Sequence, residues 1–267
     1  MAVAWTSIPN GDVDVDSPLT TALITALRDN PEGIAQRATG APKIFGVAYD
    51  YQEITANGSW VKPSNAETGD KVVVQAVGGG QAGQYADNSS GGEGAGGGFK
   101  RFEDIDDLPS SVSATIGAGG TTSLQAGGDT TFGVEADQHY IYAGGGNSEA
   151  RFRTGRADGA GTIQQIAEGD GGTGGASGAA GGSSCFGAGG GGGSRSGALG
   201  SVWEGGASMY AGNGGEGTDQ NASIGKTRQS GKFPGGGGGA DDPTGGSNQF
   251  GDGGDGVIRV WCIREEA

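Results

Sequence analysis

Between Gly169 and Gly193 the chain reads GDGGTGGASGAAGGSSCFGAGGGGG, with glycine at 169, 172, 175, 178, 181, 187, 190 and 193 and Ser184 the only break in a three-residue period. Period three belongs to neither helix nor strand. It matches the left-handed polyproline II screw, which has about three residues per turn and a rise of about 3.1 Å. A chain in that conformation bonds none of its own N–H and C=O groups, so they must reach neighbours or water. A glycine face lets the neighbours come close, because no Cβ stands between the backbones and Cα–H groups can approach carbonyl oxygens. The pattern predicts several antiparallel rods side by side, and further candidates lie at Gly91 to Gly98, Gly144 to Gly146, Gly212 to Gly217, Gly235 to Gly239 and Gly251 to Gly256.

Two rival readings of the tract are weaker. Collagen needs an unbroken Gly-X-Y repeat with abundant proline, whereas this stretch has no proline and carries Ser184 in register. Disorder is suggested by glycine's entropy and by Leu, Ile, Val and Phe together falling under roughly 20 % of the chain. Against it, well-formed strand patterns bracket the glycine-rich region at both ends. With 63 glycines in 267 residues the mass is only 26.1 kDa, so any side-chain core is thin.

A formal net charge of −15 argues against nucleic acid as a partner, since phosphate binding needs a dense Lys/Arg surface. Cys185 and Cys262, the only cysteines, sit in a glycine loop and an apolar strand and form neither a disulfide framework nor a CxxC metal spacing. The opening MAVAWTSIPNGDVDVD lacks a signal-peptide pattern, and no run of 18 apolar residues suggests membrane insertion. The expectation is a chain made soluble in the cytoplasm that reaches the outside by lysis or on a particle.

Asp12, Asp14 and Asp16 alternate with Val13 and Val15. An EF-hand starting at Asp12 would need glycine at 17 and glutamate at 23, where Ser17 and Leu23 stand, so a divalent cation at this run is the lesser reading. The acidic run suits the approach to a helix N-terminus. Ser17 can cap that helix and Pro18 fits its first turn, while Leu19, Leu23 and Leu27 with Ala22 and Ala26 form one apolar stripe. It should stop near Asp29, because Asn30 precedes Pro31. So short a helix needs a partner, which makes Leu19, Leu23 and Leu27 candidates for docking on copies of the chain or on another protein.

Beyond a turn-rich linker at Thr39 to Lys43, strands are expected around Phe45 to Tyr51, Gly58 to Pro63, Lys71 to Val77, Val112 to Gly117, Thr130 to Phe132, His139 to Ala143 and Val257 to Ile263. Phe99 to Pro109 reads as a surface loop or short helix. The fold class expected is therefore mainly β, with a helical segment at 1–43 and a sandwich-like domain at 44–267 carrying polyglycine II rods.

The motifs GSWVKP at 58–63, DKVVVQAVGGG at 70–80, VSATIGAGG at 112–120, GGDTTFG at 127–133, YIYAGGG at 140–146 and GGDGVIRVWCI at 253–263 occur in the order found in the glycine-rich domain of bacteriophage tail fibre and adhesin proteins, which the chain resembles from about 52 to 263. The segment IPNGDVDVDSPLTTALITALRDNPEGIAQRATGAPKI likewise resembles the opening of phage virion proteins that anchors a distal domain. The resemblance implies a non-enzymatic virion component, assembled in the host cytoplasm and acting at the host surface. It also implies loops that touch a receptor, other tail or fibre proteins as partners, and no cofactor. The acidic residues and the insertion DQNASIGKTRQSGKF at 219–233 depart from the most glycine-dense adhesins.

Enzyme readings find little support. His139 is the only histidine and no GxSxG elbow accompanies it. Metal hydrolysis would need more His or Cys ligands, and acidic pairs are too abundant to be informative. Gly225, Lys226 and Thr227 imitate the end of a phosphate loop, but Gln220 stands where its first glycine belongs, and Gly92, Gly94 and Gly97 match GxGxxG as any such tract would. The reading is display: rods hold loops that offer Trp203, Glu204, Met209 and Tyr210 in one loop and Arg228, Lys232 and Phe233 in another to a cell-surface glycan or outer-membrane protein. A homotrimer is expected from the short N-terminal helix. A head fibre or capsid decoration protein, or a polysaccharide depolymerase, are the alternatives.

Overall fold

The structure, a computed structural model, describes residues 48–84, 90–146, 152–154, 164–169, 171–176, 178–193, 202–218, 229–240 and 250–264. The expected helix with Leu19, Leu23 and Leu27, the Asp12, Asp14 and Asp16 run, and Arg228 lie outside the described residues.

The strands are β1 (Ala48–Ile54), β2 (Gly58–Val61), β3 (Lys71–Val77), β4 (Gly97–Phe102), β5 (Ser111–Thr115), β6 (Thr130–Phe132), β7 (Ile141–Ala143), β8 (Phe152–Thr154), β9 (Gln164–Gly169), β10 (Val202–Trp203), β11 (Gly217–Thr218) and β12 (Val257–Ile263). They build two five-stranded antiparallel sheets, β1-β12-β3-β4-β9 and β2-β5-β6-β7-β8, with β10 and β11 a separate ribbon. The period-two pattern of β3 and β12 puts Val72, Val74, Ala76, Ile258, Val260 and Cys262 on one face, where they meet Trp60, Val112, Ala114, Phe132, Ile141 and Ala143 of the other sheet. The fold is mainly β, as expected. Two details differ from the sequence reading. Phe99 to Phe102 belongs to β4, with only Ile105–Asp107 as a 3-10 turn, and His139 sits in the turn before β7.

The glycine segments continue these strands as rods. β3 runs into 78–84, β5 into 117–120, β7 into 144–146 and β9 into 171–176, while rods 90–96 and 251–256 lead into β4 and β12. The change is geometrically mild, because strand and polyproline II rises are both a little over about 3 Å per residue. The 169–193 tract is three rods, 171–176, 179–184 and 187–193. Gly178, at φ +69°, turns the first into the second, and Ser184, the break in the period, opens the turn to the third by accepting from Gly187 N–H at 3.0 Å.

Hydrogen bonds show the threefold screw directly. In rod 78–84, Gly78, Gln81 and Gln84 donate to rod 90–96, Gly79 and Ala82 to Gly128 and Gln125, and Gly80 and Gly83 to Gly254 and Gly251. In rod 187–193, Ala188 and Gly191 donate to Ala95 and Gly92, Gly189 and Gly192 to Gly212 and Gly215, and Gly190 and Gly193 to Gly182 and Ala179. The same rod accepts from Gly172 and Gly175, from Gly237 and Ala240, and from Gly206. Successive amides point a third of a turn apart, so each inner rod is tied to neighbours on every side. The rods are not all antiparallel as expected: the ascending pairing of 189 and 192 with 212 and 215 makes those two parallel, whereas 78–84 and 90–96 are antiparallel.

Close approach, rather than unusual φ, explains most of the glycines: among the described glycines only Gly69, Gly133, Gly178 and Gly235 have positive φ. A Cβ on Gly191 would stand 2.0 Å from the Gly238 carbonyl oxygen, where the Hα now points. A small apolar cluster of Val77, Ala95 and Val257 seals the junction between rods and sandwich. At the other end Arg264 closes the sandwich by a bidentate pair with Asp70 at 2.8 and 3.0 Å, with Tyr49 Oη also donating to Asp70 at 2.7 Å.

Gly191→Ala should destabilise the protein by about 3 kcal/mol or more, because backbone cannot yield as a side chain can. Gly58→Ala, whose Cβ would meet nothing nearer than 3.8 Å, should stay within about 0.5 kcal/mol in the same denaturation assay. Arg264→Met, which strands the buried Asp70 carboxylate, should cost about 3–5 kcal/mol by urea unfolding.

Candidate functional site

Rod directions define two ends. Rods 78–84 and 171–176 leave the sheets, and 187–193 runs parallel to 171–176, 211–217 and 235–240. Gln84, Ala176, Gly193, Gly217 and Ala240 therefore finish together at the end remote from the sandwich. The turn Thr121 to Gln125 joins them there: Gln125 Oε1 accepts from Thr121 and Thr122 N–H, and Gln81 Nε2 donates to Leu124 O. The chain resumes at the same end at Ser90, Val202, Gln229 and Phe250.

The sequence-derived candidates do not gather at one place. Trp203 lies at the far end in β10, paired with Gly217, and exposed Glu204 begins the returning rod, its carbonyl accepting from Gly181 N–H. Met209 and Tyr210 sit at the opposite end of that rod, so they do not share a loop with Trp203 and Glu204. Lys232 and Phe233 also lie at the near end, in the turn before Gly235, with the Phe233–Pro234 bond cis. Aromatic and charged side chains in apparent loops put these residues on the sequence list; a rod's length separates Trp203 and Glu204 from Met209 and Tyr210 because the chain between Glu204 and Ser208 is itself a rod.

Tyr210 is held at the sheet. Its carbonyl accepts from Gln75 Nε2 at 2.8 Å, and its ring meets Phe99 edge-on at 5.5 Å and stacks on Phe186 at 5.3 Å. Phe99 in turn lies 6.4 Å from Trp261, which lies 5.5 Å from Tyr51. An aromatic ladder thus crosses the outer face of the β1-β12-β3-β4-β9 sheet. A shallow apolar depression lined by Ser183, Ser184, Cys185, Ala207, Ser208 and Met209 adjoins it, with the free Cys185 thiol exposed. Sequence reasoning missed this face because Phe99 had been read as loop and Phe186 as part of a rod.

The strongest perturbed titratable group is not a site. Lys100 is fully buried on the inner face of β4, and burial lowers its pKa to about 8. Its Nζ donates to the carbonyls of Gln138 and Tyr140 at 3.1 and 3.4 Å and sits over the Phe102 ring. Burial also lowers His139, opposed by Asp137 at 3.3 Å and reinforced by Lys100. Together these contacts tie the 133–140 turn to the core. Among the described residues no three His, Cys, Asp or Glu side chains come together to hold a metal ion.

Against known families, residues 54–262 match the model of the glycine-rich domain. The chain belongs to the glycine-rich domain family. The match spans both sheets and every rod described above, from the last residue of β1 to Cys262 of β12. A comparison with curated proteins finds no match.

Lys100 gives the domain a pH signature. The unfolded lysine holds its proton to about 10.4, whereas the folded one releases it near 8. Between those values the unfolded state binds more protons, so this group's destabilisation is present below about 8 and is relieved as pH rises toward about 10. The melting temperature of the wild type should therefore gain on that of Lys100→Met over this interval in parallel calorimetric scans.

Proposed function

We propose that this glycine-rich domain is the display module of a bacteriophage virion protein, a tail fibre or tail-tip adhesin whose far-end loops bind a host-surface glycan or outer-membrane protein. The observation that carries the reading is the convergence at one end of the rod ends Gln84, Gly193, Thr218 and Ala240 with the restarts at Ser90, Val202, Gln229 and Phe250, opposite Ala48, where β1 begins. Those connections differ chemically from the rods: YADNS, SRSGALGS, DQNASIGKTR and DDPTGGSNQ are rich in Ser, Asn, Asp and Arg, side chains suited to adaptable hydrogen bonding. Loops on a rigid scaffold can vary without disturbing it. A backbone lattice is rigid in this sense, because its order does not depend on the identity of loop side chains.

In this reading residues 1–43 hold the protein to its particle, with three copies assembling, and recognition rests on Trp203 and Glu204 at the far end together with Arg228. The near-end Met209, Tyr210, Lys232 and Phe233 leave the receptor site. Purified protein should block adsorption of the particle to its host. The double variant Trp203→Ala/Glu204→Ala should need about tenfold more protein for the same block, a loss of about 1.4 kcal/mol. Lys232→Ala/Phe233→Ala should block as the wild type does. No block by wild-type protein, together with antibody labelling of the head, would replace the adhesin with a decoration protein.

A further inference from the structure

The two outer faces of the sandwich differ. On the β2-β5-β6-β7-β8 sheet the outward positions are mostly hydroxyls, Ser59, Ser111, Ser113, Thr115 and Thr131, with Val61 and Tyr142 among them. On the other sheet the register sets Tyr51 beside Trp261, Trp261 beside Val73 and Val73 beside Arg101, one strand to the next. The rod turns at Phe186 and Tyr210 cover the Gln75 and Phe99 row of that sheet, while Tyr51 remains 50 % exposed. One sandwich with a hydroxyl face and an aromatic face is asymmetric in a way that solvent alone does not require.

We infer that the aromatic row Tyr51, Trp261 and Val73 is covered by residues 17–29 of the same chain, through the apolar stripe of Leu19, Leu23 and Leu27. The chain before β1 enters at this sheet, with Ala48 three residues ahead of Tyr51 and paired with Ile263. A helix over residues 17–29 would be about 20 Å long at 1.5 Å per residue. Four strands at about 4.8 Å spacing give a face of similar width. The intervening residues, reaching about 3.3 Å each, span either sheet dimension.

Attachment to β1 favours this occupant over a second copy. The face carries Lys71, Arg101 and Arg259 against Glu53 and Glu103, joined by ion pairs of 2.7 to 3.5 Å. Residues 17–29 carry one Arg28 and one Asp29 and so bring no net charge against these settled ion pairs. Attachment tethers the segment near its site at high effective concentration. The leucine stripe is then satisfied within the chain, and residues 1–16 and 30–43 remain for the particle.

The test places a benzophenone photocross-linker at Tyr51 in the full chain, followed by tryptic mass spectrometry on the purified protein. The expected product joins the Tyr51 peptide to residues 1–28 of the same molecule, and Leu23→Asp/Leu27→Asp should reduce its yield at least fivefold without lowering the melting temperature of the rod-bearing domain. In a mixture of isotopically light and heavy chains, mixed-mass products would assign the face to a second copy and overturn the inference. So would no product with residues 1–28. No host cell or particle enters the experiment, so its result is separate from the adhesin reading.

Discussion

Backbone-to-backbone approach is the interaction on which this molecule depends. A side-chain core of the usual kind is confined to the sandwich, where Trp60, Phe132, Ile141, Ile258 and the β3 valines meet. Beyond Val77 there is almost nothing to bury except peptide groups. The rods meet that condition by bonding amides in three directions in turn, and each close contact requires an Hα where a Cβ would stand about two ångströms from a carbonyl oxygen. Glycine's large loss of chain entropy is offset by hydrogen bonds and close packing spread along every rod. The apolar cap of Val77, Ala95 and Val257 fixes the level at which one packing regime gives way to the other.

The division of labour between the two regimes explains where chemistry can reside. Among the described residues Asp70 is held by Arg264 and Tyr49, Lys100 by two carbonyls and Gln75 by Tyr210 and Arg259, whereas the buried Trp60 Nε1 has no partner. These contacts staple turns and strand ends to the core. The surface that such stapling does not consume is the outer aromatic face around Tyr51 and Trp261.

Much of the architecture was legible where a pattern had one physical meaning. Lys71 to Val77, Thr130 to Phe132 and Val257 to Ile263 alternate or run apolar and are the strands β3, β6 and β12. The three-residue period announced the rods, and Ser184, its one break, marks a turn. What escaped had an ambiguous local signal. Phe99 and Arg101 look like a mixed loop until β3 and β9 pair on either side of them, and β9 itself has little strand propensity. The candidate site was legible only as exposure, since nothing in the run from Trp203 to Tyr210 says that four intervening residues hold the two ends apart as a rod. Direction was equally hidden, because a period-three glycine face looks the same read from either terminus.

That last symmetry has a consequence for how such a protein can change. In a β-sheet, reversing a strand alters the hydrogen-bonding pattern of its ladder, so polarity restricts what may be added. Rod 187–193 bonds parallel to 211–217 and antiparallel to 179–184 with the same kind of amide contact. A new hairpin of glycine segments can therefore crystallise onto the rim of the lattice in either sense, bringing an extra loop to the far end while the interior stays as it was. Growth by accretion, one loop at a time, is open to this fold in a way that is closed to a domain held together by interlocking side chains.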